Sequence, residues 1–171
     1  MTFMELAQAR YSVRSFSDRT IDPDTLATIL EAGRMAPTAG NYQPQRIYVI
    51  KSEEALAKLR TLTKFTYGAP AVLMFCSDAD TAWKNTQEPG YDSGEMDATI
   101  VGTHVMLAAA EAGLGTVWVR AFSAPKVAEA FGLPENIRPA FLMPIGYPSE
   151  KSAPHTWHTA RKELCETVQE L

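Results

Sequence analysis

Arg10 and Arg14, four residues apart with Ser12 between them, are the first residues in this chain whose types and spacing could do chemistry. On a helix or on a strand, this spacing puts both guanidiniums on one side. They repel each other there unless an anion or acidic side chains lie between them. Two readings stand side by side: a phosphate site, which suits arginine and the Ser12 hydroxyl, or a solvated basic face neutralised by Asp18 or Asp22. A second group lies in Ala36-Pro37-Thr38-Ala39-Gly40-Asn41-Tyr42-Gln43-Pro44. Thr38, Asn41 and Gln43 could present donors and acceptors to a polar heterocycle, or the segment is an ordinary connection rich in turn formers.

Elsewhere the chemistry is thin. There is no Gly-x-Ser-x-Gly elbow, no His-Glu-x-x-His and no cysteine close to a histidine in sequence. Asp78-Ala79-Asp80 has no third oxygen ligand nearby, and His155 and His158, three apart in the tail, read as surface residues, so no metal site is expected. Gly113-Leu114-Gly115 lacks a third glycine and precedes a strand, which excludes a dinucleotide loop. A chain with no evident acid, base or nucleophile leaves the chemistry to a cofactor.

The elements that must position these residues begin with a short helix at Phe3–Ala9. Asp22-Pro23-Asp24 opens the next helix, which Pro37 ends. Arg46 to Ile50 reads as a strand, Ser52 to Leu62 as a helix, and Ala71 to Cys76 as a central strand covered on both faces. Ser77 to Gly94 has no period and reads as a long loop, with Trp83 and Tyr91, beside Tyr67, as aromatic candidates for stacking on a substrate. Met96 to Gly113 forms a helix with almost no polar face, bounded by Asp97 in its first turn and Gly113 at its end. Such a helix is buried by protein. Gly102, Ala108, Ala109 and Ala110 admit a close neighbour, either another helix of this chain or the same helix of a second subunit. Leu114 to Val119 reads as a strand, Ser123 as the cap of a helix to Phe131, and Ala140 to Tyr147 as a last strand in which Pro144 marks an edge or a bulge.

With 171 residues, one domain over 1–171 is expected. The net charge of −4 gives no footprint for nucleic acid. The apolar helix lies at the short edge of membrane-spanning lengths, and no second stretch resembles a span, so no membrane partner is expected. Cys76 and Cys165 lie far apart, Cys76 within an apolar run, and the N-terminal MTFMELAQAR lacks the pattern of a secretory signal. Both features point to the cytoplasm.

Arg10-Tyr11-Ser12-Val13-Arg14-Ser15-Phe16 is followed by the 36–44 segment, Gly68-Ala69-Pro70-Ala71-Val72, Gly113-Leu114-Gly115-Thr116-Val117-Trp118 and Gly146-Tyr147-Pro148. In this order the motifs resemble the nitroreductase family of flavin enzymes over nearly the whole chain. The resemblance implies an α+β fold with a central, mostly antiparallel sheet flanked by helices. It also implies a homodimer built around long buried helices, with FMN at the subunit interface. By the same resemblance, Arg10, Ser12 and Arg161 would hold the FMN phosphate and Arg14 would approach the pyrimidine edge. Pro37, Thr38 and Asn41 would contact the flavin, some from the second subunit. Trp118, Val119, Arg120 and Ala121 would pass its reactive edge. The implied reaction carries electrons from NADH or NADPH through flavin N5 to an electron-poor acceptor such as a nitroaromatic or a quinone, in a ping-pong cycle with no catalytic side chain. Another reaction on the same fold, dehydrogenation or reductive dehalogenation, and a flavin-binding protein without turnover are the alternatives. The chain departs from the family pattern at Tyr11, where a basic residue is common, and at Arg120, where a glycine or an acid is common.

Overall fold

The computed structural model describes residues 1–171. Its central strand is the apolar run after Pro70, β2 (Ala71–Asp78), in which all eight residues are buried. It pairs antiparallel with β1 (Gln45–Ile50) on one side and with β4 (Ile137–Gly146) on the other, and the two-residue β3 (Gly115–Thr116) adds to the far side of β4. Successive side chains of a strand point to opposite faces, so one strand feeds two cores. Leu73 and Phe75, with Phe141, Met143 and Ile145, face α2 (Pro23–Arg34) and α4 (Gly94–Glu111). Val72, Met74 and Cys76, with Leu142, face α3 (Glu53–Leu62) and α5 (Ala124–Phe131). The result is the expected α+β arrangement, with helices on both faces of an antiparallel sheet. Burial pushes the Cys76 thiol up to about 12, as befits a core residue.

Local chemistry sets the helix starts. Asp22 accepts the Thr25 N–H at 2.9 Å and Ser52 accepts the Ala55 N–H at 3.2 Å. Ser123 occupies the corresponding place before α5, but its side chain caps nothing. Pro125 has no N–H, so one of the two donors such a cap would use is missing.

Two strand expectations change. The segment from Leu114 to Val119 is a strand only at Gly115–Thr116. It then leaves the ladder and returns at Val119, whose N–H and C=O both bond to Leu142 at 2.9 Å. β4 begins earlier than Ala140 and lies inside the sheet, so Pro144 marks neither an edge nor a bulge. Its carbonyl accepts the Val117 N–H at 3.3 Å, which directs its missing N–H to the side where β3 has ended. The bulge falls instead where Phe75 pairs with Phe141 and Cys76 with Pro139, leaving Ala140 as the extra residue.

The long helix α4 is closed on one side by its own chain. Gly33 brings α2 against Val101 and Val105, and Gly102 faces Phe141 and Trp118. Ala98, Val101, Gly102, Val105 and Ala109 are all buried, so the chain's own core takes up Gly102 and Ala109. The other side, with Met96, Thr99, Ile100, Thr103, His104 and Leu107, stays wholly or partly open. No helix is long and apolar enough to cross a membrane.

Candidate functional site

The arginine segment is held as a strand-like strip. Val13 is buried and donates its N–H to the Thr116 carbonyl at 2.9 Å, while Ser12 bridges Thr116 in parallel. A side chain at Gly115 would overlap Val13, so the glycine pair 113 and 115 serves chain reversal and packing and no phosphate loop. Further on, the Ser15 and Ser149 hydroxyls meet at 2.7 Å and the Ser17 N–H reaches the Tyr147 carbonyl at 2.9 Å. With Val13 turned inward, Ser12 and Arg14 sit on the outward face of the strip.

The tail folds over this strip. α1 (Phe3–Ala9) ends at Arg10, and His158 Nε2 donates to the carbonyl of Gln8 at 3.0 Å. Tyr11 hydrogen-bonds Ser152 at 3.0 Å and sets its ring edge-on to His158, with centroids 6.2 Å apart. The tyrosine that departs from the family pattern thus pins the tail. Arg161 donates to the carbonyls of His158 and Ala160, each at 2.7 Å. Arg10, Tyr11, Ser12, Arg14, His155, Trp157, His158 and Arg161 together line one cavity of about 200 Å³. His155 and His158, expected as plain surface residues, are part of it. No local pattern in the sequence marks them, since only Thr156–His158 is helical and Arg161 lies beyond that turn.

No carboxylate lies within ion-pair distance of Arg10, Arg14 or Arg161. Asp22 caps α2, and Asp18 pairs with no arginine, so the reading of a neutralised basic face falls. Burial, and after it the nearby Arg161, hold the Arg10 guanidinium below its usual value. Like charges gathered in this way favour an anion between them.

The second group is a rigid loop at another place. Ala39–Asn41 forms a single 3-10 turn with Gly40, Asn41 and Gln43 at positive φ. The Thr38 hydroxyl accepts the Gln43 N–H at 3.0 Å, Pro37 and Asn41 are exposed, and Gln43 Nε2 donates to the Asn41 carbonyl at 3.2 Å. Asp97, in the first turn of α4, accepts the Ala39 N–H at 2.9 Å. Ala110 and Gly113, at the other end of α4, line a second cavity that adjoins Arg10. From Asp97 to Ala110 the helix rises about 20 Å at 1.5 Å per residue. Within one chain the loop and the arginines therefore lie at opposite ends of α4.

The third group, Trp118 to Ala121, is only partly available. The Trp118 ring stacks on Phe141 at 3.6 Å between centroids, and Phe141 stacks on Phe75 at 4.5 Å. Val119 is buried and both its backbone groups bond to Leu142. Arg120 and Ala121 are exposed, with Arg120 4.0 Å from Glu95 and over the Phe122 ring. The Thr63 hydroxyl donates to the Ala121 carbonyl at 3.0 Å and fixes the turn. Of the aromatic candidates, Tyr67 packs with the α3 and α5 core, Trp83 lies beside Gly40, and Tyr91 lines a cavity with Asp92 and Arg138.

An antiparallel sheet with helices on both faces has clear counterparts among known proteins. The model of the Nitroreductase family matches residues 7–64 and 60–147, and the chain belongs to that family. A crystal structure of a nitroreductase family protein from Clostridium difficile 630 superposes with a TM-score of 0.91 at 38% identity, covering 99% of this chain and 98% of that one. A relative from Archaeoglobus fulgidus, provisionally named an NADH dehydrogenase/NAD(P)H nitroreductase, is 31% identical over 157 residues, 86% of each chain. An Exiguobacterium sibiricum protein solved in complex with FMN superposes at a TM-score of 0.83 with 25% identity, covering 100% of this chain and 98% of that one.

Proposed function

We propose that this chain is an FMN-dependent oxidoreductase that takes electrons from NADH or NADPH and passes them to an electron-poor acceptor such as a nitroaromatic or a quinone. The observation that carries the reading is the meeting of Arg10, Arg14 and Arg161 around one cavity with no carboxylate among them. The donor set fits a phosphate: guanidiniums and the Ser12 hydroxyl can donate charge-assisted hydrogen bonds to its oxygens. When bound, FMN supplies the two-electron chemistry, and the chain's own residues bind and orient it. Arg10, Ser12 and Arg161 take the phosphate, Arg14 the pyrimidine edge, and the exposed Arg120–Ala121 turn borders the reactive edge. Pro37, Thr38 and Asn41 come from the second subunit of a homodimer, in keeping with their place at the far end of α4 and with that helix's open side. Two unpaired cysteines, one of them exposed, accord with a cytoplasmic protein.

Purified protein is expected to be yellow, to release a cofactor with the mass of FMN, and to bleach when NADH or NADPH is added without oxygen. Protein that holds FMN and stays oxidised is a binding protein, and the enzymatic reading then falls. If reductant and acceptor use one face in turn, steady-state lines at several acceptor concentrations are parallel. Intersecting lines would show two substrates bound together and rule out the shared site.

A further inference from the structure

Asp97 is only 2% exposed, yet it lies in a helix whose neighbouring positions are apolar. Burying a carboxylate is costly unless its oxygens are hydrogen-bonded, and here both are. Oδ1 accepts the Ala39 N–H at 2.9 Å, and Oδ2 accepts the Ser93 hydroxyl at 2.6 Å. Ser93 is itself buried, and its N–H reaches the Trp83 carbonyl at 3.0 Å. Asp97 thus ties the Thr38–Gln43 loop and the end of the 79–93 segment to the first turn of α4. The loop needs such a tie. Asn41 and Gln43 both hold positive φ, 59° and 51°, a conformation disfavoured for residues with side chains and kept only where surroundings impose it.

We infer that Asp97 is a positioning residue: through the Ala39 N–H it fixes the Thr38–Gln43 loop in the shape presented to the FMN held by the partner subunit's arginines. The inference rests on the proposed FMN site shared between subunits and adds to it a named positioning residue. Asp97 touches no cofactor. Its effect on one subunit's loop is read at the other subunit's flavin.

Three variants test this, with FMN affinity, flavin potential and dimer mass as readouts. Asp97→Ala removes both acceptors and should weaken FMN binding about tenfold or more, the effect of losing a hydrogen bond to a charged group. Asp97→Asn keeps an acceptor for Ala39 and should restore most of that affinity. Ala39→Pro deletes the same N–H from the other partner; Pro fits the first position of a helical turn, and Thr38 already has extended backbone. It should weaken FMN in the same direction, and the double variant should be no worse than the stronger single one. This variant leaves α4 intact, so the inference stays testable even if Asp97→Ala does not fold.

Differently tagged Arg10→Gln and Asp97→Ala chains, purified as mixed dimers, decide the direction. One site then collects both lesions and the other has none, so the mixed dimer should bind one FMN with wild-type affinity. A mixed dimer with no intact site would place the loop on its own subunit's cofactor and overturn the inference. Unchanged FMN affinity and potential in both Asp97→Ala and Ala39→Pro would also overturn it. Wild-type protein that binds no FMN would instead remove the proposed function, a result visible before any variant is made.

Discussion

Arg10 and Arg14 share a sequence motif but not a surrounding. Arg10 is half-buried beside Arg161, whereas Arg14 is exposed and donates to the Ser12 carbonyl at 3.3 Å. Arg10→Gln should therefore mainly release FMN, at a cost of about 1.5–3 kcal/mol for a charge-assisted bond. Arg14→Gln should lower the flavin potential, because a cation at the pyrimidine edge favours the more negative reduced form. For a two-electron couple, about 1.4 kcal/mol of lost preference corresponds to roughly 30 mV. A redox titration beside an FMN titration separates the two, and an unchanged potential in Arg14→Gln would assign both arginines to the phosphate. A different residue contributes to the pH dependence of stability. Asp78, part of the Asp-Ala-Asp triplet, accepts from Thr81, Asn136, the Asp80 N–H and Arg46 at 2.8–3.0 Å. The Thr81 hydroxyl foremost, helped by the other three, holds its carboxyl below the usual carboxylate value. A lowered value in the folded state stabilises the fold above the unfolded carboxylate value of about 3.9, and this contribution is lost as pH falls through the folded value. The stability gap between wild type and Asp78→Asn should accordingly close as denaturant titrations are moved from pH 6 to below about pH 4; a gap independent of pH would refute the role.

At the scale of elements, the contact between β3 and the arginine strip couples fold to site. A methyl group at Gly115 would overlap Val13, a buried β-branched residue with little freedom to turn aside. Gly115→Ala should cost about 1–3 kcal/mol of stability through overpacking, and it should also weaken FMN binding by displacing Ser12 and Arg14. Denaturant midpoints and FMN titrations on the same preparation check this. A variant destabilised by that amount with wild-type FMN affinity would show that the strip is held by the Ser15–Ser149 side of the motif instead.

For the whole molecule, the two sides of α4 predict opposite outcomes. Val105 is fully buried within the chain, and Val105→Asp should prevent folding, because it places an unpaired charge in the core. Ile100 and Leu107 lie on the open side and are only partly buried; Ile100 packs against the edge of the core, and Leu107 belongs to neither core cluster. Leu107→Lys should leave the helix content intact and yield a folded monomer that no longer retains FMN. Sedimentation and circular dichroism distinguish the cases. A wild-type protein that sediments as a monomer with FMN bound would end the proposal of a shared site.

The sequence by itself determined most of the elements, because their signals are local. The caps at Asp22 and Ser52, the doubly covered apolar run of β2, the helix ending at Gly113 and the arginine spacing all depend on residues within a few positions of one another. It did not determine Pro144's place inside the sheet, because that depends on where β3 stops. Nor could it show that Gly102 meets Phe141 and Trp118 in its own chain, or that the open side of α4 lies opposite. Burial of Asp97 against Ala39, 58 residues away in sequence, and the gathering of the tail histidines beside Arg10 are likewise long-range packing events. Only the tertiary structure decided them, because hydrogen bonds and contacts between distant segments leave no periodic trace in the residues that make them.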